Sequence, residues 1–362
     1  MDRDRPSYHF KLIKTDTHHE PTNMMYAKWA AIILFFGISS VSFVTQGVLA
    51  LKDTLVDGDT TRVTEVNING LNHLPERQVA GVTKEMEEKE PLGSDDSKVT
   101  PFEGEAQYKI SNANALPKTS ARAYLAADLQ TGEIIIEQND ALVAPVASVT
   151  KLMTGLVAHE KMDMQKYAIV SRDSYNTYGG QGGLLLGEKI RVQDLMYPLL
   201  MESSNDAAEV LADAFDQGHE AFMVEMNKKA AALGMVDTYY EDPSGLNPKN
   251  VSTVRDLLIL GRYIHKNAPI LYDMTRVKQY AIRGHTWLNR NRFLTYDSFL
   301  GGKNGYIDES KKTTVSLFDI TMAKGGKRPV VIVLLKSDDR EGDALKIINF
   351  LKKNAYYNVV AE

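Results

Sequence analysis

Ser148 and Lys151 stand three residues apart in the run Pro145-Val146-Ala147-Ser148-Val149-Thr150-Lys151-Leu152-Met153-Thr154. Between Ala141 and Glu160 the pattern predicts a helix that starts near Ser148, with Leu152, Leu156 and Val157 as its apolar stripe. Positions i and i+3 share a helical face, about 5–6 Å apart at Cβ, so Lys151 is placed one turn above the Ser148 hydroxyl. A serine needs a neighbouring base to act as a nucleophile. A lysine serves only if burial, a helix N-terminus or a second cation lowers its pKa, and Lys303 is the candidate for that second cation. Ser203 and Asn205 fall between two predicted helices, Val192 to Met201 and Asp206 to Phe215. From that loop Ser203 would relay a proton to a leaving group, while Asn205 would hold Lys151 and a substrate amide. Asn205 or Asp206 would also cap the second helix. Lys303 lies in Gly301-Gly302-Lys303-Asn304-Gly305-Tyr306, ahead of a predicted hairpin of Thr313 to Met322, the turn Lys324-Gly325-Gly326-Lys327 and Pro329 to Leu335. Glycines there admit a substrate to the strand edge. The ammonium would attract a carboxylate, and the backbone N–H groups of Ser148 and Tyr306 would form an oxyanion hole. Each piece alone also has a plain reading as a helix start, an N-cap or a polar turn.

Taken together, S-x-x-K, S-x-N and a variant of K-T-G in this order resemble the three catalytic elements of penicillin-recognising enzymes. The chain resembles the serine-type D-alanyl-D-alanine carboxypeptidases, the low-molecular-mass penicillin-binding proteins, from about Ala121 to Asp338. Beyond the three elements the likeness includes Ala126 to Glu133, Ala232-Leu233-Gly234-Met235, Asp242-Pro243-Ser244-Gly245-Leu246 and Trp287-Leu288-Asn289-Arg290-Asn291. It implies an α+β, β-lactamase/transpeptidase-like fold: an antiparallel sheet flanked by helices, an all-helical lobe, and the active site between them. It further implies a DD-carboxypeptidase that trims D-alanine from peptidoglycan stem peptides through a Ser148 acyl-enzyme and is acylated covalently by β-lactams. The catalytic set would be Ser148, Lys151, Ser203 and Asn205, and the substrate-binding set Lys303, Asn304, Gly305 and Tyr306, with no metal and no cofactor. Two positions depart from the family pattern. Asn304 replaces the usual Thr or Ser, whose hydroxyl helps bind the terminal carboxylate, which keeps endopeptidase action on cross-links open. Ser204 replaces a small residue, often Gly.

The 23 residues Trp29 to Leu51 carry no charge, and at about 1.5 Å per residue they could cross a bilayer. Arg3, Arg5, Lys11, Lys14 and Lys28 precede them, which places the N-terminus in the cytoplasm and the remainder outside the cell membrane. Val48-Leu49-Ala50 would suit a signal-peptidase cut, so a cleaved export signal is the alternative to an anchor. The expected layout is a cytoplasmic tail over 1–28, a transmembrane anchor over 29–51, a polar linker over 52–118 and a catalytic domain over 119–362. The linker has room for a small folded element near Val63 to Ala80 and otherwise reads as a tether. The chain ends soon after a predicted final helix, Asp343 to Lys353, so the family's frequent C-terminal β-rich domain and amphipathic anchor are expected to be missing.

Composition narrows the field. The absence of Cys excludes a thiol nucleophile, a disulfide framework or a Cys-based metal site. The eight His are scattered without H-E-x-x-H spacing. A net charge of −5 without a basic stripe argues against nucleic acid. Gly179-Gly180-Gln181-Gly182-Gly183 lacks the following Lys-Ser/Thr of a phosphate loop and reads as a flexible loop beside the cleft. A β-lactamase would need a deacylating Glu pattern that Asp242 to Asn247 does not supply. A penicillin-binding sensor or pseudoenzyme is the remaining non-enzymatic alternative.

Overall fold

A computed structural model describes residues 106–358 apart from 113–115, 181 and 283. The tail, the apolar segment Trp29 to Leu51 and the linker as far as residue 105 lie outside the described residues. Among the described residues no helix is long and apolar enough to cross a membrane.

Five antiparallel strands form the central sheet, in the order Phe299–Ile307, Lys311–Thr321, Lys327–Ser337, Ala123–Asp128, Ile134–Gln138. The expected hairpin is its longest part. Side chains alternate across a strand, and here both faces are apolar, so each strand supplies two cores. Ala123, Leu125, Ala127, Val331, Val333 and Leu335 point into one, while Tyr124, Ala126, Val330, Ile332 and Leu334 point into the other. Helix Val254–Asn267 covers the first face with Leu257, Leu260 and Ile264. Helix Arg340–Asn354 covers the second with Ala344, Ile347 and Leu351. That final helix starts three residues earlier than the sequence suggests, because Asp339 caps it by accepting from Gly342 N.

The helical lobe is built round Lys151–Lys161, buried from Lys151 to Ala158. Helices Val192–Met201, Asn205–Asp213 and Gly218–Ala232 surround it. The α+β layout expected from the sequence is therefore present: a sheet with helices on it and a helical lobe beside it.

Strand pairing is present ahead of residue 119, the boundary expected for the catalytic domain. Tyr108–Ile110 pairs with Ala355–Tyr357. The amides of Gln107 and Tyr108 donate to Glu133, and the Tyr108 hydroxyl donates to Asp128 at 2.6 Å. A three-residue strand whose partner lies at the far end of the chain leaves almost no local signal.

Asp343 ties the sheet to the final helix. Its buried carboxylate accepts from the Ser120 amide and hydroxyl, the Ala121 amide and the Ser337 hydroxyl at 2.6–3.0 Å. Burial pushes its pKa up, but these donors and Lys346 outweigh burial and hold the carboxyl below its ordinary value. Its contribution is thus present above the unfolded-state pKa and fades as pH falls through the folded-state one. Asp343→Ala should cost about 2–4 kcal/mol at neutral pH by orphaning buried donors, a gap that urea denaturation should find narrowed in acid.

Candidate active site

Ser148 lies in a one-turn 3-10 helix, Ala147–Thr150, that leads into Lys151–Lys161. The α-helix therefore starts just after the nucleophile rather than at it. Ala147 has φ 50°, a conformation costing of order 1–3 kcal/mol outside glycine, and the surroundings hold it there. The Val146 amide donates to the Asn250 carbonyl at 2.9 Å, and the Thr313 hydroxyl donates to the Val146 carbonyl at 2.8 Å. Two glycines press on the same turn: a Cβ on Gly245 would lie 2.0 Å from the Ala147 oxygen, and one on Gly305 would lie 2.9 Å from Ser148 N. Only glycine fits between these backbones.

Lys151 is fully buried. Its Nζ lies 3.2 Å from Ser148 Oγ, 2.7 Å from Asn205 Oδ1 and 2.5 Å from the Ser244 carbonyl. A neutral amine has two N–H donors and one lone pair. Asn205 Oδ1 and Ser244 O can only accept, so they take the two protons and leave the lone pair for the Ser148 hydroxyl. Burial lowers the Lys151 pKa to about 7, against the opposing pull of Asp242, Glu209 and Asp206. Burial therefore does the work that the sequence reading shared with a helix N-terminus and Lys303.

Ser203 carries φ 66° and accepts from Lys303 Nζ at 2.9 Å, so its hydroxyl is aimed at the sheet edge across the cleft. Ser204, rather than Asn205 or Asp206, is the N-cap of Asn205–Asp213, accepting from Ala207 N at 2.9 Å. Its hydroxyl also donates to Asp206, which gives the unusual middle residue of the S-x-N element a structural role. Asn205 holds Lys151 as expected. Its Nδ2 is engaged by the carbonyls of Tyr178 at 3.2 Å and Gly179 at 3.0 Å, not directed to a substrate amide. The glycine-rich loop expected to be flexible is thus tied to the start of helix Asn205–Asp213. Asp206 Oδ1 receives its Gly182 amide, and its Gly182 carbonyl receives Trp287 Nε1.

Lys303 is buried on Phe299–Ile307, with Nζ also donating to its neighbour's carbonyl, Asn304 O, at 2.9 Å. Burial, then the Lys151 and Arg340 cations, hold it well below the ordinary lysine value. The Asn304 amide is fixed in the strand face: Nδ2 donates to Asn291 Oδ1 at 3.0 Å and Oδ1 accepts from the Thr314 hydroxyl at 2.7 Å. Asn291 Oδ1 is identified as an acceptor by the Phe293 amide that donates to it, so the Asn304 atom facing it must be the donor. Phe299–Ile307 is an edge strand of the sheet, and Lys303, Asn304, Gly305 and Tyr306 line a cleft of about 940 Å³ together with Ser148, Ser203 and Asn205. An open strand edge on a cleft can pair with an extended peptide.

Sequence reasoning did not single out Ser244, Asn250 or Arg340. The loop 241–250 is knotted by Asp242, whose carboxylate takes the amides of Ser244 at 2.8 Å and Asn247 at 2.5 Å. Asn250 in turn bonds Thr150 Oγ1 at 3.0 Å, and the result is the Ser244 carbonyl on Lys151. Arg340 lines the cleft and donates to the Gly305 carbonyl at 3.1 Å. Among the described residues no cluster of side chains could hold a metal ion.

Residues 110–338 match the family Peptidase S11, D-alanyl-D-alanine carboxypeptidase. The chain belongs to that family. It is 30% identical over 263 residues to the DacD carboxypeptidase of Salmonella typhimurium, a match covering 68% of this chain and 66% of that one. It is 39% identical over 135 residues to a D-alanyl-D-alanine endopeptidase of Pseudomonas aeruginosa, covering 37% of this chain and 44% of that one. The crystal structure of a D-alanyl-D-alanine carboxypeptidase from Mycobacterium tuberculosis superposes with a TM-score of 0.59 at 26% identity, over 69% of this chain and 95% of that one. The transpeptidase-like α+β fold is thus shared with solved members. The matched region spans just under two thirds of the length of the DacD enzymes.

Because Lys151 must be unprotonated to accept the Ser148 proton, acylation should rise with pH on a limb centred near 7. Asp242→Asn removes the largest charge pulling that value upward and should move the limb to lower pH. Stopped-flow acylation checks both; a limb at the ordinary lysine value of 10.5 removes Lys151 as the base.

Proposed function

We propose that the protein is a serine DD-carboxypeptidase that removes the terminal D-alanine from peptidoglycan stem peptides. The observation that carries this reading is the Lys151 amine, with two carbonyl acceptors for its protons and its remaining contact on Ser148 Oγ. In this mechanism the stem peptide pairs with the free edge of Phe299–Ile307. Ser148 Oγ attacks the D-Ala–D-Ala carbonyl as its proton passes to Lys151. The oxyanion sits between the Ser148 and Tyr306 amides. The C–N bond then breaks, and the departing D-alanine amine takes, through Ser203, the proton that Lys151 had accepted, which returns Lys151 to its neutral form; Lys303 holds Ser203 in place. Water, deprotonated by Lys151, hydrolyses the ester. A β-lactam enters the same path and remains on Ser148. Asn205 positions Lys151, while Lys303, Asn304 and Gly305 shape the subsite for the leaving residue, with Arg340 as a further cation beside it.

Endopeptidase cleavage of cross-links is the second reading, and Asn304 favours it. One N–H of its amide is taken by Asn291 Oδ1; the second can serve a peptide carbonyl as readily as a carboxylate, and the endopeptidase relative supports this reading.

Intact mass after benzylpenicillin, beside Ser148→Ala, followed by digestion of pentapeptide and cross-linked muropeptides, tests both readings. A one-drug adduct confined to the wild type and pentapeptide trimming reduced at least about 10³-fold in Ser148→Ala are expected. Asn304→Thr should raise the ratio of pentapeptide to cross-link cleavage. An adduct without cleavage of either substrate would leave a penicillin-binding sensor, and rapid drug turnover would indicate a β-lactamase.

We further propose that Trp29 to Leu51 is an uncleaved anchor in the cell membrane, with the tail cytoplasmic and the catalytic domain tethered outside. The native protein should fractionate with membranes and resist alkaline extraction. N-terminal sequencing that begins at Leu51 would overturn the anchor.

A further inference from the structure

The cleft is larger than the chemistry around Ser148 requires. Its volume of about 940 Å³ is at the upper end of the roughly 300–1,000 Å³ of small-molecule sites, yet the reacting groups occupy only Ser148, Lys303 and their neighbours. Part of the remaining wall is aromatic and acidic, beside Leu246, Pro248, Arg290 and Arg340. Tyr178, from the loop clamped by Asn205, lines it with its side chain 85% exposed. Tyr306, three residues past Lys303 along the edge strand and so about 10 Å further on, lines it at 57% exposure. Asp308, which accepts the Tyr306 hydroxyl at 2.7 Å, and Glu309 lie beyond it and also line the cleft. The Tyr178 and Gly179 carbonyls are both fixed by Asn205 Nδ2, so the Tyr178 ring is held out by an anchored backbone.

We propose that this mouth is a glycan subsite, taking pyranose rings of the N-acetylated sugar chain that carries the stem peptide. Aromatic rings offer an apolar face with little rotamer entropy to lose, and the C–H faces of a pyranose match them. Carboxylates accept from sugar hydroxyls and amide N–H groups. Arg290 and Arg340 line the same cleft as Asp308 and Glu309, so the choice of a sugar rests on the two exposed aromatic faces and on acceptors for its hydroxyls. The subsite is continuous with the catalytic cleft, and the kinetic arm of its test rests on the DD-peptidase reading.

The test uses the detergent-solubilised full chain. In the first arm a neutral tetrasaccharide of β-1,4-linked N-acetylglucosamine is titrated into Ser148→Ala protein by calorimetry, alone and combined with Tyr178→Ala or Glu309→Gln. Binding is expected, weakened about tenfold by Tyr178→Ala, the loss of one aromatic anchor, and less by Glu309→Gln. In the second arm kcat/KM is compared for disaccharide-pentapeptide and bare pentapeptide. The ratio should exceed one in the wild type and fall toward one in Tyr178→Ala. No binding, binding that Tyr178→Ala leaves unchanged, or equal cleavage with and without the sugar overturns the subsite. If neither peptide is cleaved, the DD-peptidase reading falls while the titration still decides the subsite.

Discussion

A buried lysine amine is the constraint that organises this molecule. Taking an ammonium out of water is costly, and Lys151 is fully enclosed, so the fold must favour the neutral amine and then satisfy it. Two acceptors come from separate places, a side-chain amide at the head of Asn205–Asp213 and a backbone carbonyl in the loop 241–250. Each is itself immobilised, Asn205 by the Tyr178 and Gly179 carbonyls and the Ser244 loop by Asp242 and Asn250. Strain is stored where the aim must be exact in direction: Ala147 before the nucleophile and Ser203 on the facing loop both adopt positive φ.

The two lobes meet at a second lysine. Lys303 belongs to the sheet edge and Ser203 to the helical lobe, and their 2.9 Å bond spans the cleft. Gly305 allows the edge strand to come against the Ser148 amide, and Arg340 braces that strand from the start of the final helix by its bonds to the Gly305 and Thr313 carbonyls. The cleft width is therefore set by the Lys303–Ser203 bond, the Arg340 brace and the close backbone approach at Gly305, with the remaining side chains deciding what enters it. Asn304 fits this division, since its amide is built into the strand face through Asn291 and Thr314 and changes the chemistry of the wall without disturbing its path.

What could be read from the sequence divides along the same line. The Ser148–Lys151 pair, the two helices flanking Ser203 and the long hairpin were legible because helix and strand periodicity are local properties. The helix Val192–Met201 has the bounds its pattern suggested. The Ser244 acceptor was not legible, because any residue has a carbonyl and only the Asp242 knot aims this one. Arg340 sits near the start of a helix, where a cation reads as an unfavourable surface residue, and it meets Gly305 only through the fold. The cap was misassigned to Asn205 or Asp206 because all three residues of Ser204-Asn205-Asp206 are capping types, and the choice among them is made by Lys151, which occupies Asn205. The strand Tyr108–Ile110 left no sequence signal because its partner, Ala355–Tyr357, lies at the far end of the chain.

The two lysines also explain each other. The sequence suggested that Lys303 lowers the Lys151 pKa, yet in the free enzyme burial accounts for that fall and Lys303 is itself held low, in part by Lys151. Coupling between two titrating groups is reciprocal, so the balance changes when an anion arrives. A carboxylate beside Lys303 favours its ammonium, and that charge then disfavours a proton on Lys151. On the DD-peptidase reading the substrate's own terminal carboxylate would favour the ammonium form of Lys303 and thereby disfavour a proton on Lys151. A leaving group that ends in a neutral amide would not. Selectivity between the two leaving groups would then reside in the protonation of the base as well as in contacts at Asn304.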